Sequence, residues 1–216
     1  MISVYIEASQ KRAFACAVDW PGWCRAGRNE AQALEALAAY TDRYARVAKH
    51  AGTVFNASTD PDFEVAERIA GSASTDFGVP GGVTAHDLEP LKSAEAERMA
   101  TLVEACWTVF DRVVAGAPAE LRKGPRGGGR DRDKIVDHVL GAEVMYAQKI
   151  GVRLRQPALD DAPAIRAHRA AIAEALRTSA HAKCFEEAKA WPPRYAARRI
   201  AWHVLDHAWE IEDRAQ

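Results

Sequence analysis

Beyond Pro90, the apolar residues Met99, Leu102, Cys106, Val109 and Val113 recur at alternating steps of three and four. That period is the seam of a helix burying one stripe along its length. Gly116 and Pro118 close it. Three more helical segments follow, at about 131–150, 163–179 and 195–214, and the third connection, with Trp191, Pro192 and Pro193, has room for a short extra helix around 185–190. Helices of this length, alternating with loops, bury their stripes by packing together, so this half reads as an antiparallel four-helix bundle.

The first half has another period. Residues 2–8 alternate and are rich in β-branched and aromatic types, and 12–19 do the same after the polar turn Ser9, Gln10, Lys11, so the chain opens as a hairpin. Pro21 and Gly22 break the second strand, and a short third strand is expected over 23–26. Asn29 is placed to cap a helix from about Glu30 to His50, with Leu34, Leu37 and Tyr44 on one side. A further strand is expected over 63–69. The stretch 71–93, with Gly78, Pro80, Gly81, Gly82 and Pro90, reads as a long connection. The fold class is therefore α+β, with an α/β module and linker at 1–88 and a helical domain at 89–216, and no internal repeat.

At 216 residues the chain can bury nearly 70% of its unfolded surface. A formal charge of -1 gives no whole-chain pull toward nucleic acid or an anionic membrane. Cys16, Cys24, Cys106 and Cys184 form no CxxC pair, as suits a reducing cytoplasm. The N-terminus has no basic region followed by a long apolar stretch, and no apolar run approaches the ~18 residues of a membrane span. The expectation is a soluble cytoplasmic protein with a small-molecule partner and no membrane partner.

The chemistry-bearing residues cluster in the second half. His203 and His207 stand four apart in the last helical segment, on the apolar row Ile200, His203, His207, Ile211. This spacing sets two imidazoles about 6 Å apart along the axis and about 40° apart around it, within reach of one metal ion. His138 follows Ile135 and precedes Ala142 and Met145 on a similar row of another helix. Inward histidines on facing helices build metal sites, yet the same spacing also serves satisfied core histidines, and His168 falls on an equally apolar row. Asp137 and Asp206 point about 100° away from their neighbouring histidines. Trp107, Trp202 and Trp209 suit either a pocket wall or the core.

The order of the helices, the segment Asp133 to Glu143 with its late His138, and the paired histidines of the last helix resemble the DinB superfamily over residues 93–216. The resemblance implies an up-up-down-down four-helix bundle, often a homodimer. It also implies a divalent metal, zinc or nickel, held by His138, His203 and His207. Members with known chemistry include thiol-dependent transferases and mycothiol-dependent maleylpyruvate isomerases, so a low-molecular-weight thiol is implied as co-reactant. The excess of arginine over lysine suggests GC-rich coding and favours mycothiol. Glu143 and Glu210 are candidate carboxylates behind the ligands. The same resemblance puts the loop containing Arg126, Arg130 and Arg132 near the mouth of the site, where forked hydrogen bonds would hold an anionic substrate. Many members use a later pair of the last helix, which here would be His207 and Ile211, and an isoleucine cannot bind metal.

Asp19, Trp20, Pro21 and Gly22, then Gly27 and the helix start Glu30, Ala31, resemble the HicB-like pattern over about 1–70. That resemblance implies a small sheet with one packed helix, serving as an interaction module. Two functions follow. One is a metal-dependent enzyme acting on small electrophiles with a thiol; the other is a non-catalytic two-module interaction or regulatory protein with a degenerate site.

Overall fold

The computed structural model describes residues 1–124, 127–181 and 190–215. The chain runs β1 (Ile2–Ala8), β2 (Ala13–Ala17), β3 (Cys24–Gly27), α1 (Glu30–Ala39), α2 (Thr41–His50), β4 (Phe63–Ala70) and the short α3 (Ala73–Asp76). Four main helices follow: α4 (Ser93–Gly116), α5 (Arg132–Lys149), α6 (Ala162–Thr178) and α7 (Pro193–Arg214). The class is α+β, a four-stranded mixed sheet followed by a helical bundle.

The sheet order is β3-β2-β1-β4. β1 and β2 form the expected hairpin, with Val4 opposite Ala17 and Ala8 opposite Ala13. β4 lies parallel to β1, from Ile2 opposite Phe63 to Ala8 opposite Ala70. A parallel return needs a crossover, and α1 and α2 provide it. Side chains alternate across the sheet: Val4, Ile6, Ala13, Ala15 and Ala17 share one core with Ala33 and Leu37 of α1, while Tyr5, Phe14, Cys16 and Cys24 meet Trp202 of α7 on the other face.

The helix expected over 30–50 is two helices. Asn29 caps α1 as expected, its side chain accepting from Gln32 N–H. Tyr40 then leaves helical geometry at φ -101°, ψ 7°. Its ring packs 4.9 Å from that of Trp209 on α7, under the Arg25 guanidinium at 4.0 Å. Tertiary packing there outweighs the continuous apolar pattern that suggested one helix.

The Pro21-Gly22 turn seats the sheet on the bundle. Trp23 Nε1 donates to the Leu37 carbonyl at 3.0 Å, and the Tyr44 hydroxyl donates to the Pro21 carbonyl at 2.9 Å. Gly22 has φ +92°, and a Cβ there would stand 2.7 Å from Leu205 Cδ1 and 3.0 Å from Ala201 Cβ. The turn presses on the middle of α7, which only glycine permits.

The stretch expected as a connection is packed too. The buried Glu7 carboxylate accepts from the Thr75 hydroxyl at 2.5 Å and from the N–H groups of Gly81 and Gly82 at 3.2 and 2.8 Å. Arg198 of α7 pairs with the fully buried side chain of Asp87. Arg194 donates to the Glu89 carbonyl at 2.6 Å and to Glu95 at 2.6 Å. One hydrophobic core joins the sheet to all four main helices. Among the described residues no helix is long and apolar enough to cross a membrane. The extra helix expected around 185–190 lies, but for its last residue, outside the described residues.

Candidate metal centre

α7 packs against α4 and α5 and meets the sheet through Trp202. Ala196, Ala197, Ile200, Ala201, Val204, Leu205 and Ala208 are all buried. Small residues let neighbouring elements approach closely, and His203 and His207 come off α7 toward His138 of α5. His203 Nε2 stands 3.2 Å from His138 Nε2. The three ring centroids are 4.7, 5.0 and 5.1 Å apart, and one ligand atom from each histidine lies within 4.8 Å of the other two.

This geometry suits a metal. Nitrogens about 2.1 Å from one tetrahedral ion are about 3.4 Å from each other. The His138–His203 spacing is already of that size. Protonation favours the same use. Burial, then His207, His138, Arg199 and Arg130, holds the His203 imidazole well below its ordinary pKa. Burial, then His207 and Arg130, lowers His138 as well. Both shifts favour the neutral imidazole, which is the form that binds a metal.

Glu210 stands behind His207. His207 Nδ1 donates to Glu210 Oε2 at 2.9 Å, and Arg214 Nη1 donates to Oε1 at 2.5 Å. The hydrogen bond from His207 lowers the carboxyl pKa, so the group is an acceptor. A carboxylate on Nδ1 fixes the tautomer and leaves Nε2 for a ligand role.

Glu143 does not share that arrangement. Five residues after His138, it is turned about 140° around α5. There it is 1% exposed and meets the Arg169 guanidinium at 3.3 Å, which also binds Asp111 at 2.8 Å. His168 is buried beside this pair, 3.8 Å from Glu143, and lies outside the three-histidine group. Of the loop arginines, Arg132 is taken up by Asp133 at 2.8 Å and the Ala117 carbonyl at 2.9 Å. Arg130 is exposed but close enough to depress both His138 and His203. Arg126 lies outside the described residues.

Sequence reasoning missed Arg199 and Tyr146. The Arg199 guanidinium lies 4.6 Å from the Trp202 ring and 5.4 Å from that of Tyr146, with Nη1 buried and without a hydrogen-bond partner among the described residues. The Tyr146 ring is 5.6 Å from that of His203 and 5.2 Å from that of Trp191. The signal for Arg199 was present: it precedes His203 by one turn, on the stripe that continues to His207. Trp209 and Trp107 are core residues, at 1% and 4% exposure. Comparison with protein-family models, curated proteins and solved structures finds no match to this chain.

Proposed function

We propose that the chain holds one divalent ion, zinc or nickel, through His138, His203 and His207, and that the bundle is DinB-like, serving thiol-dependent transfer or isomerisation on small electrophiles. The observation that carries this reading is the convergence of three imidazole nitrogens from two helices within 4.8 Å. Three imidazole ligands match catalytic sites, which keep a position open, better than closed structural ones. A bound ion supplies Lewis acidity and lowers the pKa of a coordinated thiol.

The surrounding side chains have separable parts in this reading. Glu210 holds the His207 tautomer. Tyr146, Trp191 and Trp202 limit water around His203, and the stacked Arg199 guanidinium, whose Nη1 has no hydrogen-bond partner among the described residues, receives an anionic group of the substrate or of a thiol such as mycothiol. The alternative, a non-catalytic interaction protein, rests on Ile211, which occupies the next turn of α7 where many DinB-like proteins carry a ligand.

The test is the metal-to-protein ratio by elemental mass spectrometry, on protein purified without chelator and again after reconstitution with zinc, nickel or manganese. About one ion per chain is expected. His138→Ala, His203→Ala and His207→Ala should each lose most of it, and His168→Ala should keep it. Equal retention in all four variants overturns the ligand set. Failure of every metal to bind transfers the reading to the interaction protein.

A further inference from the structure

Cys16 and Cys24 meet across the β2–β3 ladder, directly opposite each other. The Ala17 N–H donates to the Trp23 carbonyl at 2.9 Å, so the 17–23 pair is the hydrogen-bonded one and the adjoining 16–24 pair is not. In antiparallel sheets, pairs of that second kind bring the Cα atoms to about 4.5 Å, with the side chains at their closest. That spacing is inside the roughly 4.4–6.8 Å that a disulfide spans without backbone movement. Both side chains are on the sheet face that meets Trp202, and they are hydrogen-bonded to each other. Cys106 is buried apart from them, in the core that joins the sheet to the bundle. The pair borders a cavity of about 10 Å³ that Tyr5, Tyr195, Arg198 and Trp202 also line. This is room for about one water-sized molecule.

We propose that Cys16 and Cys24 are an oxidation site, converted to a cross-strand disulfide by hydrogen peroxide in preference to bulkier oxidants. The cavity sets that preference: hydrogen peroxide is little larger than water, whereas an alkyl hydroperoxide brings carbon atoms for which there is no room. Burial, then the hydrogen bond and charge of Cys16, holds the Cys24 thiol well above its ordinary pKa, so Cys24 stays protonated and is the second to react. Arg198 donates to the hydroxyl of Tyr5, the residue opposite Cys16 on β1, and supplies positive charge in the same cavity. Positive charge there favours attack by the Cys16 sulfur. That sulfur takes one peroxide oxygen, the O–O bond breaks and water leaves, giving a sulfenic acid. The Cys24 sulfur then attacks the Cys16 sulfur, the S–O bond breaks, and the hydroxyl leaves with the Cys24 proton as a second water. Two thiols lose two electrons in all, and one peroxide is reduced to two waters. The site is independent of the metal reading, because neither thiol belongs to the three-histidine group.

The sequence makes the test direct. Trypsin cuts after Arg12 and Arg25, so both cysteines leave in one peptide, 13–25. The folded full chain, reduced and freed of reductant, is exposed to hydrogen peroxide or to tert-butyl hydroperoxide, desalted into urea with iodoacetamide, digested and weighed by mass spectrometry. After hydrogen peroxide, peptide 13–25 should carry no alkyl group and be two hydrogens lighter than its dithiol form, while Cys106 alkylates fully. Dithiothreitol should restore two alkyl groups. The rate ratio of hydrogen peroxide to tert-butyl hydroperoxide should be at least tenfold higher for the folded chain than for the chain unfolded in urea. In Cys24→Ser, oxidation should stop on Cys16 as added oxygen, and in Cys16→Ser, Cys24 should still alkylate. His207→Ala should oxidise as the parent protein does, which separates this site from the metal centre. Full alkylation of peptide 13–25 after hydrogen peroxide, a rate ratio that unfolding leaves unchanged, or a bond from this peptide to Cys106 or Cys184 overturns the proposal.

Discussion

Replacing Gly22 with alanine tests whether the sheet holds the histidine-bearing helix in place. The new Cβ would stand 2.7 Å from Leu205 Cδ1, 3.0 Å from Ala201 Cβ and 3.1 Å from the Ala201 carbonyl carbon. The leucine tip can swing aside, but the Ala201 contacts belong to α7 itself and cannot. Alanine at φ +92° also enters the left-handed region at a cost of about 1–2 kcal/mol. Forcing an atom into a packed interface costs a further ~1–3 kcal/mol. The total, about 2–5 kcal/mol, lowers Tm by roughly 4–20 °C for a chain of this size. Gly52 is the control: φ is +63° there, yet a Cβ meets nothing within 4 Å. Gly52→Ala therefore carries the backbone cost alone. Thermal unfolding followed by circular dichroism should show Gly22→Ala well below Gly52→Ala. Because Leu205 lies between His203 and His207, metal affinity should fall in Gly22→Ala and hold in Gly52→Ala. Equal Tm values for the two variants would refute close docking of the Pro21-Gly22 turn on α7.

Other perturbations address separate parts of the molecule. Glu210→Gln removes the carboxylate behind His207 and should weaken zinc binding about 10- to 100-fold; competition with a chromogenic chelator measures it, and unchanged affinity would count against that role. Asp87→Ala leaves the buried Arg198 guanidinium without its carboxylate partner and should destabilise the fold by about 3–5 kcal/mol in urea titrations; a loss below 1 kcal/mol would contradict the burial of that pair. Hydrogen bonding from Arg194 lowers the Glu95 carboxyl pKa. Its folded value is below its unfolded value, so the pair stabilises the fold above the ordinary carboxylate range and that contribution disappears as pH falls through the lowered value. The urea midpoint of the parent protein should therefore fall more steeply than that of Glu95→Gln below about pH 4.3, and parallel curves would refute the linkage.

The helices were legible because their apolar period is set by local geometry. α4 through α7 fall within a few residues of the segments read from the Met99 to Val113 seam and its successors. The convergence of His203 and His207 needed only the helical repeat. Glu143 shows where such reasoning ends: rotation about its own helix turned it from His138 toward Arg169, and no neighbouring residue signalled that partner. Arg199 shows the converse, since its helical register was visible but its stacking between Tyr146 and Trp202 depends on two other positions in space.

By itself, the sequence determined element types, the hairpin, and a helical half carrying three inward histidines, because hydrophobic period and capping residues act over a turn or two of chain. The tertiary structure decided the rest. It broke the expected single helix at Tyr40 because Trp209 and Arg25 hold that ring. It turned the expected linker into packed structure because the Glu7 carboxylate, once buried, must collect donors from Thr75, Gly81 and Gly82. It brought His138 within 3.2 Å of His203 because α5 and α7 meet across a core to which residues far apart along the chain contribute. Such long-range choices depend on which surfaces fit together, and a local pattern does not contain that information.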